Sequence, residues 1–370
     1  MLQLEKKLLM MVVTILCLLG VLFVYESSTV ESFALSGGDL HFALTQAVGL
    51  VFGILAWYFA SKLNYQWYLK FPYFFYLLAL AVIGLCFWSG IPPIIKGNVI
   101  AGGARRWIWI FGVSVQVAEI VKFCVLIFFT YLLLKQNEVK IFLLYLMPIA
   151  GLVLLQKDLG SLLVIFAVSV SIFFLSGAKA KQFIPLGLGL IGAILLMIVL
   201  SPYRMKRLLT YLNPQEGMQA ESYHLNQALI AIGRGGVMGK GISGSIQKYY
   251  LPEASSDSIF PIIAEEIGFI GVSFILFLYL AFFCLLYRLV NLGCQHEGGK
   301  MIGYGIIMMF LSQLFLNLGA ISGLIPLTGM PLPFLSAGGS SLVFSLFMLG
   351  VIFNLTKQTE IVKYKHRLYD

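Results

Sequence analysis

The sequence predicts an all-α, polytopic integral membrane protein with about ten transmembrane helices, and three observations carry that prediction. Of the 370 residues, 60% are apolar and 11% charged, with a mean hydropathy of +0.93, whereas soluble domains carry roughly 25% charge. Apolar runs of about 20 residues, the length that crosses a ~30 Å hydrocarbon layer, recur at 8–25, 42–60, 71–89, 116–134, 141–156, 159–176, 182–200, 258–287, 301–320 and 337–356. Lysine and arginine, finally, are concentrated in alternate connections between these runs.

The N-terminal "MLQLEKK" precedes the first run, and no small-residue cleavage site follows it, so it is read as a retained span and not as a signal peptide. With the N-terminus in the cytoplasm, Lys6, Lys7, Lys62, Lys70, Lys135, Lys140, Lys179, Lys181, Arg288, Lys300, Lys357, Lys363, Lys365 and Arg367 all fall on the cytoplasmic side. The opposite loops 27–41 and 321–335 hold neither Lys nor Arg. That asymmetry predicts both termini in the cytoplasm. The net charge of +9 then reports topology and contact with anionic membrane lipids, and no nucleic acid partner is needed to explain it. Cys17, Cys86, Cys124, Cys284 and Cys294 lie in spans or in a cytoplasmic loop, which leaves no exported disulfide. His41, His224, His296 and His366 are scattered singly, without zinc spacing. The whole chain, 1–370, reads as a single membrane domain.

Two large connections, 90–115 and 201–257, fall on the exported side, the second between helices 7 and 8. The first carries Arg105 and Arg106 and leads into the fourth span, where Gln116, Glu119 and Lys122 recur every three residues along one helix face. Glu119 can pair with Lys122, either as a structural tie between helices or as part of a site facing a cavity. The two arginines read either as site residues or as headgroup anchors. Only Gln156, Lys157 and Asp158 separate the fifth and sixth spans. Asp158 is suited to cap the helix that follows, and a site role is compatible with that.

Within 201–257, Arg204, Lys206 and Arg207 precede an apolar stripe of Leu208, Leu209, Tyr211 and Leu212, the pattern of a helix lying in the headgroup layer. The glycine-rich stretch "AIGRGGVMGKGISGSIQK", with Lys240 and Lys248, reads either as a phosphate cradle or as a flexible connector, and it lacks the spacing of a nucleotide P-loop. Next comes "YYLPEASSDSIFPIIAEE", which gathers Glu253, Asp257, Glu265 and Glu266, four of the sixteen acidic residues, where a polar loop enters an oily span. At that lip Asp257 suits a general base toward a sugar hydroxyl, a ligand holding a divalent cation against pyrophosphate, or an N-cap. The charge-free "LIPLTGMPLPFLSAGGSS", 324–341, predicts irregular backbone in a re-entrant rim.

Several of these stretches, in this order, resemble the SEDS family of peptidoglycan glycosyltransferases, the group of the division protein FtsW, the elongation protein RodA and the sporulation protein SpoVE. They are "GARRWI" at 103–108, "QVAEIVK" at 116–122, "DLGS" at 158–161, "GKGISGSIQKYYLPEASSDSIF" at 239–260, "AEEIGFIG" at 264–271 and "PLTGMPLPFLSAGGSS" at 326–341. The "YLPEA" and "PLTGMPLPF" forms look closer to the FtsW branch. The chain departs from the family pattern in having Ser255 and Ser256 where His-Thr is usual, Ser258 where an aromatic is usual, and Ala337 within the usual "SYGGSS".

The resemblance implies an inverting lipid II polymerase at the outer face of the bacterial cytoplasmic membrane, in septal wall synthesis. Asp257 would be catalytic, with Arg105, Arg106, Gln116, Glu119, Lys122, Asp158, Lys240, Lys248 and Ser336 around the substrate. It also implies a divalent cation, Mg2+ or Mn2+, with Asp257 as a ligand. The expected partners are lipid II and undecaprenyl-pyrophosphate-linked glycan, a class B penicillin-binding protein, and divisome or elongasome proteins. A lipid II flippase, a RodA-like elongation polymerase and a scaffold that only recruits a transpeptidase are the alternatives.

Overall fold

The computed structural model describes residues 2–36, 40–88, 95–101, 104–110, 113–199 and 220–369. Twelve helices are described, α1 (Leu2–Ser36), α2 (His41–Lys62), α3 (Tyr65–Lys70), α4 (Pro72–Leu85), α5 (Val117–Lys135), α6 (Val139–Leu155), α7 (Leu159–Leu175), α8 (Phe183–Val199), α9 (Ala220–Gly235), α10 (Ile259–Gly293), α11 (Glu297–Ile321) and α12 (Gly339–Tyr369). Each of the ten apolar runs forms one of them. Six helices, α1, α2, α5, α10, α11 and α12, are long and apolar enough to cross a membrane, and α4, α6, α7 and α8 are shorter apolar helices. The protein is a multi-pass membrane protein.

Helix α5 is the axis of the bundle, with most of its length buried against α4, α7 and α11. Its apolar residues pack all round, from Val121 and Phe123 to Phe128 and Phe129, as a helix that is hydrophobic on every face must. Around it α2 packs on α12 and α1 on α10. Val51, Phe52, Ile54, Leu55 and Phe59 of α2 stay exposed, a face fitted to lipid and not to water.

The described residues of the two long connections are more ordered than a loop reading implies. Most of 90–115 forms a three-stranded antiparallel meander of β1 (Ile95–Ala101), β2 (Ala104–Ile110) and β3 (Val113–Gln116). In β2 the sequence "RWIWI" alternates sides, with Ile108 buried and Trp109 exposed, as a half-buried strand does. Trp107 pairs with Val99 on one side and Gln116 on the other. Because β3 runs straight into α5, the sheet is tied to the bundle axis.

The connection 201–257 contains α9, which packs on α10 through the small apolar cluster of Ala228, Ala231, Leu251, Ala254, Ile262 and Ile321. The stripe with Arg204, Lys206 and Arg207 lies outside the described residues. Loop 27–41 is also shorter than expected, because α1 continues to Ser36.

Helix α10 breaks at Gly268, where φ is 65° and ψ −168°, and the glycine-rich loop docks on that break. Phe269 N–H donates to Gly236 O at 2.9 Å and Ile270 N–H to Val237 O at 3.1 Å. A Cβ on Gly239 would stand 2.1 Å from Glu266 O, and one on Gly268 would stand 2.2 Å from Gly239 N. These glycines are required for backbone to meet backbone. The segment 324–338 is irregular, as expected, with Met330, Leu332, Phe334 and Leu335 buried in protein, the condition on which non-helical backbone is tolerated at membrane depth.

Candidate active site

Asp257 lies in the turn just before α10, and Ser258, not Asp257, stands at the helix N-cap position. Ser256 Oγ donates to Asp257 Oδ1 at 3.1 Å. The Asp257 backbone carbonyl accepts from Asn317 Nδ2 at 2.9 Å, and the same amide group donates to Met330 O at 2.7 Å. Asn317 of α11 thereby holds the Asp257 turn and the 324–338 segment together.

Gly329 shows what faces the carboxylate. At φ 65°, a Cβ there would lie 3.3 Å from Asp257 Oδ2 and 3.6 Å from Arg106 Nη1. The acid and the cation therefore flank one small space that only a glycine leaves open.

Arg106, on β2, is held from behind. Its Nη2 donates to Lys157 O at 3.2 Å, and its Nε lies 3.5 Å from Asp158 Oδ2. Lys157 adopts φ 61°, an uncommon conformation for a non-glycine residue, which turns its carbonyl toward the guanidinium. Asp158 is buried and caps α7 as expected, accepting from Ser161 N at 3.1 Å and Ser161 Oγ at 2.7 Å. Next to it, a Cβ on Gly160 would collide with Met330 Sδ at 2.6 Å, so the start of α7 abuts the same segment.

Arg106, Asp158 and Asp257 thus come together from three distant parts of the chain. Ser336 lies on the same segment, but its hydroxyl accepts from Leu332 N at 2.8 Å and its carbonyl from Gln46 Nε2 at 3.1 Å. Gln46 also accepts from Gly338 N at 3.0 Å. Gln116 N–H donates to Ser340 Oγ at 3.4 Å, which places β3 beside the start of α12. Lys122 Nζ lies 2.7 Å from Glu119 Oε1, both side chains buried. The backbone of Arg105 pairs with Ile100 of β1, and its side chain lies outside the described residues.

Lys240 and Lys248 belong to a second polar cluster, centred on α10. Lys240 is exposed, and its N–H donates to Glu265 O at 2.9 Å, as Gly241 N–H does to Glu266 O at 2.9 Å. The N–H groups of Lys240 and Gly241 are thereby spent on helix carbonyls and do not face a phosphate. Lys248 is buried with Nζ 3.9 Å from Glu26 Oε2. Glu265 accepts from Ser245 Oγ at 2.6 Å and Gln247 N at 3.1 Å and pairs with Arg234 Nε at 3.1 Å. Glu26, Gln46, Arg234, Asn317 and Gly329 do not stand out as site residues in the sequence. For Glu26, Gln46 and Asn317 the available signal is a polar side chain interrupting an apolar run.

Residues 6–361 match the profile of the cell cycle protein family FtsW/RodA/SpoVE. The chain belongs to this family. Among FtsW/RodA/SpoVE proteins, it is 33% identical over 356 residues to a probable peptidoglycan glycosyltransferase FtsW of Coxiella burnetii, covering 92% of this chain and 93% of that one. It is also 33% identical over 363 residues to the stage V sporulation protein E of Bacillus subtilis, covering 95% and 96%. One solved relative comes from a peptidoglycan synthase complex studied for the coordination of polymerization and crosslinking. It superposes with a TM-score of 0.76 at 25% identity, over 95% of this chain and 97% of that one. The rod shape determining protein RodA of Thermus thermophilus shares the fold, with a TM-score of 0.68 at 24% identity over 95% and 96%.

Proposed function

We propose that this chain is a peptidoglycan glycosyltransferase that polymerises lipid II into glycan strands at the outer face of the bacterial cytoplasmic membrane, in septal wall synthesis, with both termini in the cytoplasm. The observation that carries the proposal is the Asp257 carboxylate facing Arg106 across the gap at Gly329. Family membership and the FtsW relatives support the same activity.

In this reading Asp257 Oδ2 takes the proton from the C4 hydroxyl of the acceptor GlcNAc as that oxygen attacks the anomeric carbon of the lipid-linked donor. The bond from that carbon to the pyrophosphate oxygen breaks, the configuration inverts, and undecaprenyl pyrophosphate leaves. Arg106 meets the charge that develops on the leaving group. Its orientation is fixed beforehand by Asp158 and the Lys157 carbonyl, and such preorganisation is what makes electrostatic stabilisation effective.

A divalent cation is compatible with these residues. Asp158 is engaged by Arg106 and Ser161, so Asp257 is the carboxylate of this group that would hold the ion, and Mg2+ is often held by one or two carboxylates together with substrate phosphates. When bound, the ion would supply positive charge at the leaving group. A class B penicillin-binding protein is the proposed partner, in line with the solved synthase complex.

Purified chain, complexed with its class B transpeptidase and supplied with lipid II and Mg2+ or Mn2+, is expected to make glycan strands. Asp257→Ala in the same complex is expected to make none, and EDTA is expected to stop the wild type. Equal polymer from wild type and Asp257→Ala would overturn the assignment. A flippase or a scaffold would give no polymer from either.

A further inference from the structure

Helix α9 reaches the residue beside Asp257 through a side-chain hydrogen bond. His224 Nε2 lies 2.7 Å from Ser258 Oγ. Ser258 is fully buried and occupies the N-cap of α10, yet its hydroxyl makes no capping bond to the helix. Serine is favoured at N-caps because its oxygen satisfies one of the first backbone N–H groups. Here that oxygen is directed instead to an imidazole carried by another helix.

The imidazole is not delivered by a loose segment. Ala228 and Ala231 of α9 are fully buried in the cluster with Leu251, Ala254, Ile262 and Ile321. At the C-terminal end of α9, a Cβ on Gly235 would lie 2.0 Å from Ala264 O, so α9 sits directly on the α10 backbone. Asp257 is consequently gripped on both sides. Asn317 holds its carbonyl from α11, and His224 holds the next residue from α9. Neither bond touches the carboxylate, and together they fix the peptide units from which it projects.

We propose that His224 is a positioning residue for glycosyl transfer. By bonding Ser258 it sets the rotation of the chain at 257–258 and aims the Asp257 carboxylate into the space beside Gly329. The proposal rests on the reading of Asp257 as the proton acceptor. Displacements on the order of 1 Å at a reacting group are enough to cost about 100-fold in rate, so losing this bond should act on turnover and spare substrate capture.

The test is steady-state polymerisation of lipid II by the full chain in complex with its class B transpeptidase, alongside thermal unfolding. His224→Ala is expected to lower kcat by about 10- to 100-fold, with KM for lipid II and Tm near those of the wild type. His224→Gln, whose amide can still reach Ser258, is expected to recover most of the loss. Ser258→Ala is expected to match His224→Ala, and the double variant to be no worse than either single one, since partners in one bond are not additive.

Wild-type kcat in His224→Ala, or additive losses in the double variant, would overturn the proposal. So would failure of His224→Gln to recover a loss seen in His224→Ala, or losses that follow Tm alone. Asp257→Ala, run in parallel, separates the two levels. If it is inactive while His224→Ala has wild-type turnover, only this proposal fails, whereas an active Asp257→Ala removes the base assignment on which it rests.

Discussion

Gly329 and the Glu119–Lys122 pair show two ways in which single residues define this molecule. At Gly329 the absence of a side chain keeps the space between Asp257 and Arg106 open, and φ of 65° adds a backbone conformation that costs an L-residue roughly 1–2 kcal/mol. Gly329→Ala is therefore expected to cut polymerisation by about tenfold or more, on the order of the 1.4 kcal/mol that one decade represents, while lowering Tm only modestly. An unchanged rate would mean that the gap holds no substrate atom.

The Glu119–Lys122 pair is a different matter. Lys122→Ala strands a buried carboxylate and should destabilise the protein by about 3–5 kcal/mol, read as a large fall in Tm. Replacing both partners, Glu119→Leu with Lys122→Met, should recover most of it. Lys248→Ala is expected to cost less, because the distance to Glu26 is 3.9 Å against 2.7 Å within the first pair. Matching stability in Lys122→Ala and Lys248→Ala would contradict that ranking.

Among elements, the α9–α10 junction shows how much the sequence conveys and where it falls silent. The apolar runs are legible as helices because length and hydropathy are local properties, and all ten runs became helices. The break in α10 and its partner loop are not local. The glycine at 239 sits in a stretch that reads as a connector or a phosphate cradle until the structure brings its backbone into contact with that of Gly268. Gly239→Ala places a Cβ on the Glu266 carbonyl and is expected to lower Tm and increase proteolysis between α9 and α10. A variant as stable and resistant as the wild type would show that this loop is not docked.

The β-meander is hidden from a sequence reading for a related reason. Its period-two pattern, with Ile108 buried and Trp109 exposed, lies in a stretch where arginines and glycines draw the eye first. Helix α9 presents small apolar residues such as Ala228 and Ala231, which contribute little to a hydropathy reading. Asp158 and Asp257 were legible as site candidates by their place at span boundaries. Asn317 and Gln46 were not, since their partners lie 60 and 292 positions away at Asp257 and Gly338, and nothing in the spacing encodes that.

Across the whole molecule, a bundle of apolar helices supports one end at which a sheet, a turn between α6 and α7, and an irregular segment between α11 and α12 converge on a carboxylate. The bundle supplies rigidity and a low-dielectric flank, and the convergence supplies chemistry. The central claim is that the Asp257 carboxylate accepts the proton of the attacking hydroxyl. It is tested most directly by the single-turnover rate of glycan bond formation on the complex preloaded with lipid II, comparing wild type with Asp257→Asn. The amide keeps the size of the side chain, can still accept from Ser256 through its oxygen, and removes the basicity. Bound lipid II at wild-type levels with bond formation slowed by at least 100-fold, within the range attributed to general base catalysis of about 10²–10⁴, is the predicted result. Bond formation at the wild-type rate from Asp257→Asn would contradict the account.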